Sequence, residues 1–514
     1  MPVNGMNESR TAHSRRNLIS GFARQAQAIV MPFAVRTVML YVLGVQYQGL
    51  NSLFGSILQV LSLADLGFST AVMFVLYQPV AEKDWDAVSG IVAYLRKVYR
   101  IIGTVIMAAG LVILPFIPKL ITGTYPAEMN IYCLYLLHLA NAAISYWLFA
   151  YKEALLTAMQ RGDLVSNVYT LTKFLLRVTQ IVILFVTKNY YVFLAVQPLF
   201  TVISNLLIQK ASVKYFSQIV PRGEISAPVR RELSKQVKAV FINRVGDIAR
   251  NGFDSVFLSA FLGLTTLAIY DNYYYIFLGV YSISLVVTNA IQASVGNSVA
   301  QESKEKNYRD LRRFTFLYSW FTGWCTICLC CLYQPFVRLW MNGNMALMLS
   351  DENMVLFCLY FYIITMNNTR NLYVNAAGLY WELRLWFVLE AVGNVVLNAV
   401  LGYFFGVTGI ILATIITVFI CNFVTRTNVL FKHYFQCSPR GFYGQHACSF
   451  LVMLISCAAT CGLCSLVPWE GVYDLAARAV ICLIVPNGLF VLTYGRSDQM
   501  KESVPLIKAL LRLR

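Results

Sequence analysis

Fourteen apolar stretches alternate with short polar connections along the 514 residues. They lie near 18–43, 51–78, 92–118, 131–157, 164–186, 190–210, 236–262, 267–295, 312–337, 354–379, 385–405, 408–431, 447–468 and 473–494. A hydrocarbon core roughly 30 Å thick is crossed by about 20 mostly apolar residues in a helix. The pattern therefore predicts an all-α integral membrane protein of about fourteen transmembrane helices.

Charge in the connections orients these spans. Arg10, Arg15 and Arg16 precede the first, and the connections after spans two, four, six, eight, ten and twelve carry basic residues such as Lys83, Arg161, Arg230, Arg231, Arg312, Arg313, Arg384 and Arg440. The alternate connections hold only Lys119, Lys188 and Arg338. Lys and Arg accumulate on the cytoplasmic side, so both termini are expected in the cytoplasm. The first apolar stretch is too long, and lacks the small-residue cleavage site, for a removable signal peptide.

The chain is 58% hydrophobic and 13% charged, about half the charged fraction of a soluble protein. The net charge of +17 does not point to nucleic acid, because the basic residues are dispersed over many connections rather than gathered on one face. They orient helices and meet anionic lipid. Of the thirteen cysteines, Cys325, Cys328, Cys330 and Cys331 cluster, as do Cys457, Cys461 and Cys464. They sit in apolar spans without His or acid nearby, so they read as packing thiols rather than zinc ligands. No metal site and no cofactor is expected.

The first half repeats in the second at an offset of 219 residues without a gap. Leu43-Gly44 falls on Leu262-Gly263, Ala71 on Ala290, Val80-Ala81 on Val299-Ala300 and Tyr99 on Tyr318. In each copy a span ends in Leu-Gly, and the following span runs into a charged inner loop. Six spans are an even number, so the repeat is parallel, related by an axis along the membrane normal. The expected organisation is a six-helix lobe over 1–215, a basic cytoplasmic linker over 216–235 in which Pro221, Gly223 and Pro228 break any helix, a second six-helix lobe over 236–440, and an added helix pair with a tail over 441–514. Two such lobes are expected to enclose a central cavity that rocking opens to each side in turn.

Charges inside spans cost about 2.5 to 3.5 kcal/mol each and mark function by default. Seven cations, Arg24, Arg36, Lys173, Arg177, Arg244, Arg250 and Arg370, face four acids, Asp65, Asp247, Asp254 and Glu390. The surplus predicts an anion-attracting cavity, with snorkelling and structural ion pairing as the plainer alternative. Lys173 and Arg177 are four apart and share a helix face; Arg244, Asp247, Arg250 and Asp254 do the same. Pro32, one turn before Arg36, predicts a kink. Gly402 and Gly406 read as close helix packing. His138 reads as a packed side chain. The Tyr270–Tyr275 cluster reads as a sugar contact or an interfacial belt. Asp84-Trp85-Asp86 lies in a short loop with no nucleotide-binding domain around it, and there is no ATP-binding P-loop.

The run LGVQYQGLNSLFGSILQVLSLADLG, followed by LYQPVAEKDW and YLRKVYRIIG, resembles bacterial polysaccharide repeat-unit flippases of the multidrug/oligosaccharidyl-lipid/polysaccharide exporter superfamily. The resemblance is strongest over residues 16–103. It implies alternating access in the bacterial cytoplasmic (inner) membrane, a cationic cavity, and a substrate of undecaprenyl pyrophosphate joined to a short oligosaccharide. The implied partners are this lipid-linked oligosaccharide, membrane lipids, and a polysaccharide polymerase with its export machinery. Pyrophosphate oxygens suit arginine, which assigns Arg24, Arg36, Lys173, Arg177, Arg244, Arg250 and Arg370 to substrate. Asp65 and Asp254 are the candidate coupling groups, for sodium or for protons. A lipid II flippase or a multidrug exporter of the same superfamily is the alternative. A membrane glycosyl polymerase or ligase fits less well, since the outer loops are small, and no enzyme activity is expected.

Overall fold

The computed structural model describes residues 27–62, 68–123 and 125–503. Within these, the side chains of residues 68–71, 73, 74, 232, 235, 236 and 238–251 lie outside the description. The described residues contain helices and no strand. The helices are α1 (Gln27–Val42), α2 (Val45–Leu61), α3 (Phe68–Glu82), α4 (Trp85–Ile113), α5 (Ile131–Trp147), α6 (Ala150–Ala158), α7 (Gly162–Thr187) and α8 (Tyr190–Tyr215). They continue with α9 (Ala227–Gln301), α10 (Lys304–Trp340), α11 (Asp351–Ala376), α12 (Tyr380–Thr417), α13 (Thr425–Leu430), α14 (Arg440–Ser465) and α15 (Gly471–Tyr494). Each of the fourteen predicted apolar segments overlaps helix. The chain is a multi-pass membrane protein: among the described residues, nine helical runs are long and apolar enough to cross a bilayer, or ten if the bent pair α5–α6 is one span.

At 1.5 Å per residue the 75 residues of α9 run well beyond a 30 Å core, and α12 reaches into two predicted spans. Each is broken by a glycine, Gly263 at φ 84°, ψ 174° in α9 and Gly406 at φ 58°, ψ −131° in α12. A β-carbon is costly in such conformations. The predicted Gly402/Gly406 pair packs against Phe261 and Leu262 of α9, where added β-carbons would lie 3.5 and 3.6 Å away, and it also serves the turn. A β-carbon on Gly402 would lie 3.0 Å from Ile410, and one on Gly409 would lie 1.9 Å from the Leu401 carbonyl oxygen. These glycines let the chain reverse tightly between two apolar arms. The second predicted span, 51–78, is shared by α2 and α3, with residues 63–67 outside the description.

The 219-residue repeat extends to backbone geometry. Gly44, at φ 109° and ψ 170°, matches Gly263. Asp84 caps α4 by accepting from the Ala87 N–H at 2.9 Å, and Ser303 caps α10 by accepting from the Lys306 N–H at 3.3 Å. Caps and donors are both 219 apart. Short polar side chains there satisfy backbone donors that the first helical turn leaves over. Tyr99 and Tyr318, aligned in sequence, are both buried.

The chain divides into two compact units after Arg244. In the first, Val72, Val92, Leu95 and Leu155 join α3, α4 and α6 in one core, which also takes Ile219 and Leu233. The basic connection is irregular only over 216–226. It lies on the first turn of α4, where a β-carbon on Gly90 would meet the Glu224 carbonyl oxygen at 2.9 Å. Pro228 does not break a helix as expected. It stands in the first turn of α9, where a missing N–H costs nothing. In the second unit α10 packs against α11, α14 and α15. Trp320 donates to Asn487 at 2.8 Å and Trp324 to the Cys482 carbonyl at 2.9 Å, tying α15 to α10.

Because Gly44 and Gly263 occupy backbone regions that cost a side-chain-bearing residue about 1–3 kcal/mol, Gly44→Ala and Gly263→Ala are each expected to lower the unfolding midpoint in detergent. Gly55→Ala and Gly296→Ala, in helices with open space around the added carbon, are expected to leave it unchanged or raise it. Equal midpoints for all four would refute the assigned turns.

Candidate functional site

A cavity of about 900 Å3 lies within the first unit, walled by α1, α5, α7 and α8. Among the described residues its lining includes Lys173 and Arg177 and no carboxylate. Around them stand amides and hydroxyls, Gln27, Asn141, Gln197, Thr201 and Asn205 among them, with Tyr146, Tyr169 and Phe200 as aromatic surfaces.

The sequence of α7 accounts for this. Thr172, Leu176, Gln180 and Leu184 form a buried stripe at four-residue spacing. Leu171, Leu175, Val178, Val182 and Phe185 form an exposed apolar stripe at spacings of four, three, four and three, which suits lipid. Lys173 and Arg177 are offset from the buried stripe by one position, about 100° around the helix, and from Leu171 and Leu175 by two, and they line the cavity. The walls are fixed by cross-helix bonds. Gln27 donates to the Thr170 carbonyl at 2.8 Å, Thr201 to Asn141 at 2.8 Å and Ser204 to Thr172 at 2.9 Å. Arg177 donates to Gln180 at 2.9 Å, and Gln180 in turn to the Phe193 carbonyl at 3.5 Å. Lys173 lies 5.3 Å from the Tyr169 ring, whose hydroxyl donates to Glu153 at 2.7 Å. Arg177 thus meets an amide and Lys173 an aromatic ring on the same wall, a setting in which a cation attracts an anion.

The other predicted site residues fall elsewhere. Arg24 and Asp65 lie outside the described residues, and so do the side chains of Arg244, Asp247 and Arg250. Arg36 is partly buried on α1, one turn beyond Pro32, and is not among the residues lining the cavity. Pro32 does line it, and α1 stays helical through this residue.

Arg370 is 1% exposed inside the second unit. Its guanidinium donates to Asn422 at 2.6 Å, to Asn371 and the Phe423 carbonyl at 2.9 Å each, and to Thr427 at 3.2 Å. Val418–Val424, after α12, is one π-helical turn. Such widened turns leave carbonyls off the regular ladder, and Arg370 takes one of them. In this arrangement it ties α11 to the chain after α12. Glu390 pairs with Arg426 at 3.0 Å. Arg426 had escaped the count of charges within spans, although it stands inside the predicted span 408–431.

Asp254 is 5% exposed and is met from α12. Asn398 donates to one carboxylate oxygen at 2.5 Å; Thr414 and Tyr270 donate to the other at 3.1 and 3.4 Å. Asn394 donates to Thr414 at 3.2 Å and accepts from Asn398 at 3.1 Å. The Asn398 amide oxygen is buried with no hydrogen-bond partner. Side chains from α9 and both arms of α12 therefore meet at the Asp254 carboxylate, with the Asn398 amide nitrogen bridging it to Asn394. None of Asn394, Asn398 and Thr414 was legible beforehand, since a lone Asn or Thr in an apolar span carries no signal.

Within Tyr270–Tyr275, Tyr274 and Tyr275 are partly exposed. Tyr270 and Tyr273 are buried, Tyr270 lies 4.9 Å from Phe357, and Tyr273 donates to Gln334 at 2.7 Å. His138 is buried with its ring edge-on to Phe54 at 5.5 Å.

No protein-family model and no curated protein matches the sequence. Solved structures do match in shape. A lipid II flippase, MurJ, in an inward closed conformation superposes with a TM-score of 0.68 at 14% identity, covering 93% of this chain and 98% of that one. An inward-facing multidrug resistance MATE family transporter of the MOP superfamily gives 0.62 at 14% identity, over 79% and 94%. A MATE structure in a bent conformation gives 0.53 at 14% identity, over 80% and 92%. The chain has the fold of these transporters.

Removing the Arg370 side chain would leave a cavity and strand the Asn422 and Thr427 oxygens. Arg370→Ala is expected to lower stability by about 2–5 kcal/mol. Arg370→Lys, which cannot reach four acceptors in one plane, should recover only part. Chemical unfolding in detergent measures both; wild-type stability for Arg370→Ala would contradict the packing described.

Proposed function

We propose that this protein is a flippase of the multidrug/oligosaccharidyl-lipid/polysaccharide exporter superfamily that moves undecaprenyl-pyrophosphate-linked oligosaccharide repeat units across the bacterial inner membrane by alternating access. The observation that carries this reading is the first unit's cavity, with Lys173 and Arg177 and no acid among its described lining residues. A pyrophosphate offers several negative oxygens to such a pair. The surrounding amides and hydroxyls can meet sugar hydroxyls, and the Tyr146 and Tyr169 rings can pack on sugar faces. A drug exporter handling cations would be served by the opposite lining. A lipid II flippase is the second reading, favoured by the likeness to MurJ over 93% of this chain.

Coupling is assigned to Asp254. A group biases a conformational equilibrium only if its ligand binds one state better. Asp254, Asn394 and Thr414 carry hard oxygens of the type sodium accepts, and the Asn398 amide nitrogen bridges Asp254 and Asn394. Protonation of the same carboxylate is the other way to change its charge. Asp65, the second coupling candidate, remains part of the proposal from its sequence position.

Two measurements test this. Deleting the gene in the native host should accumulate one lipid-linked oligosaccharide on the inner leaflet. Mass analysis then separates a repeat unit from lipid II, and accumulation of neither defeats both readings. Lys173→Ala with Arg177→Ala should cut export by tenfold or more while the protein remains in the membrane, with Arg177→Lys partly active because it keeps charge but loses the two-pronged donor. Normal export by the double variant would remove the anion site. Separately, Asp254→Asn should abolish dependence of export on the sodium or proton gradient. A gradient response identical to wild type would exclude Asp254 as the coupling group.

A further inference from the structure

Sequence spacing gives the cysteines no more than a packing role, but the fold gathers three of them from three helices. Cys331 of α10, Cys464 of α14 and Cys482 of α15 are 4%, 1% and 1% exposed. Their sulfur atoms all lie within 4.8 Å of one another, and no His or carboxylate belongs to the group. Around them stand Ile327, Tyr362, Met366, Met453 and Phe490, an apolar shell. A second feature leads into this trio. Cys457, Cys461 and Cys464 are spaced by four and three residues, so they share one face of α14. Cys457 and Cys461 are partly exposed, while Cys464 is buried. The Cys457 and Cys461 sulfurs are 3.9 Å apart, and the Cys461 and Cys331 sulfurs 3.4 Å apart. The result is a file of thiols running from a half-exposed helix face to an enclosed three-sulfur group.

We propose that Cys331, Cys464 and Cys482 form a binding site for a soft monovalent cation, Cu(I). Thiol sulfur selects soft metals, and sulfur alone selects against magnesium, calcium and manganese. Structural zinc takes four protein ligands in a tetrahedron; here Cys461 touches Cys331 and Cys328 touches Cys482, but neither joins the mutually close three. Three sulfurs match trigonal Cu(I). With a metal–sulfur bond near 2.3 Å, a trigonal site needs sulfurs about 4 Å apart, which the present group reaches by closing less than about 1 Å. The ion arrives already reduced, so no electron transfer is involved. Each thiol that becomes a ligand releases its proton to solvent, and affinity rises with pH accordingly. Once bound, the ion pins α14 and α15 to α10.

The test uses the full chain in lipid nanodiscs under anaerobic conditions. Cu(I), kept reduced with ascorbate, is titrated against the chelator bathocuproine disulfonate. One Cu(I) per chain is expected, with a raised unfolding midpoint by mass action. X-ray absorption should find a shell of three sulfurs and no nitrogen or oxygen. Cys331→Ala, Cys464→Ala and Cys482→Ala together should weaken uptake at least tenfold, whereas Cys133→Ala with Cys448→Ala, both exposed positions, should not change it. Zn(II) should fail to displace the copper. No uptake against the chelator by the wild type, nitrogen or oxygen in the shell, displacement by Zn(II), or undiminished uptake by the triple variant each overturns the proposal. The absorption measurement on wild type decides the matter even if the triple variant does not fold.

Discussion

Hydrocarbon supplies no hydrogen bonds, so each backbone N–H and C=O within the membrane must be satisfied by the protein itself. Helix is the local solution, and the described chain is helical nearly throughout. The same constraint governs the exceptions. Where the chain reverses, Gly44, Gly263 and Gly406 accept backbone angles that other residues resist. Where a helix begins, Asp84, Asn130, Ser303 and Ser350 accept hydrogen bonds from first-turn N–H groups. Where α12 gives way to a π-helical turn, Arg370 takes up the Phe423 carbonyl.

Polar side chains obey the same accounting, and this separates two kinds of buried charge. Arg370 and Glu390 are held by several donors or acceptors in their own unit, and act as rivets. Lys173 and Arg177 lie instead on a cavity wall made of amides, hydroxyls and rings. Asp254 falls between these cases. It is enclosed, and amide and hydroxyl side chains from α9 and α12 donate hydrogen bonds to it. Charge in a span therefore marks importance, but only its surroundings separate packing from transport.

The thiols illustrate the same point for a residue type that sequence spacing undervalues. Cys331, Cys464 and Cys482 are far apart along the chain and unremarkable singly, and the packing of α14 and α15 on α10 makes them a group. That helix pair lies beyond the part of the sequence that repeats.

The apolar pattern by itself determined that the chain is helical, where its helices fall and where they break, because hydrophobic length and glycine position act locally. The repeat was legible down to the caps, since Asp84 and Ser303 serve the backbone within their own first turn. The adjacency of Lys173 and Arg177 followed from helical spacing alone. What only the tertiary structure decided were contacts between residues distant in sequence: that Arg370 is spent on Asn422 and Thr427, that Glu390 finds Arg426, that Tyr270 is interior, and that Asn394, Asn398 and Thr414 converge on Asp254. The pattern of apolar residues specifies that a helix is buried or faces lipid. It does not specify which neighbour a polar side chain meets, because that depends on how helices rotate and pack against one another.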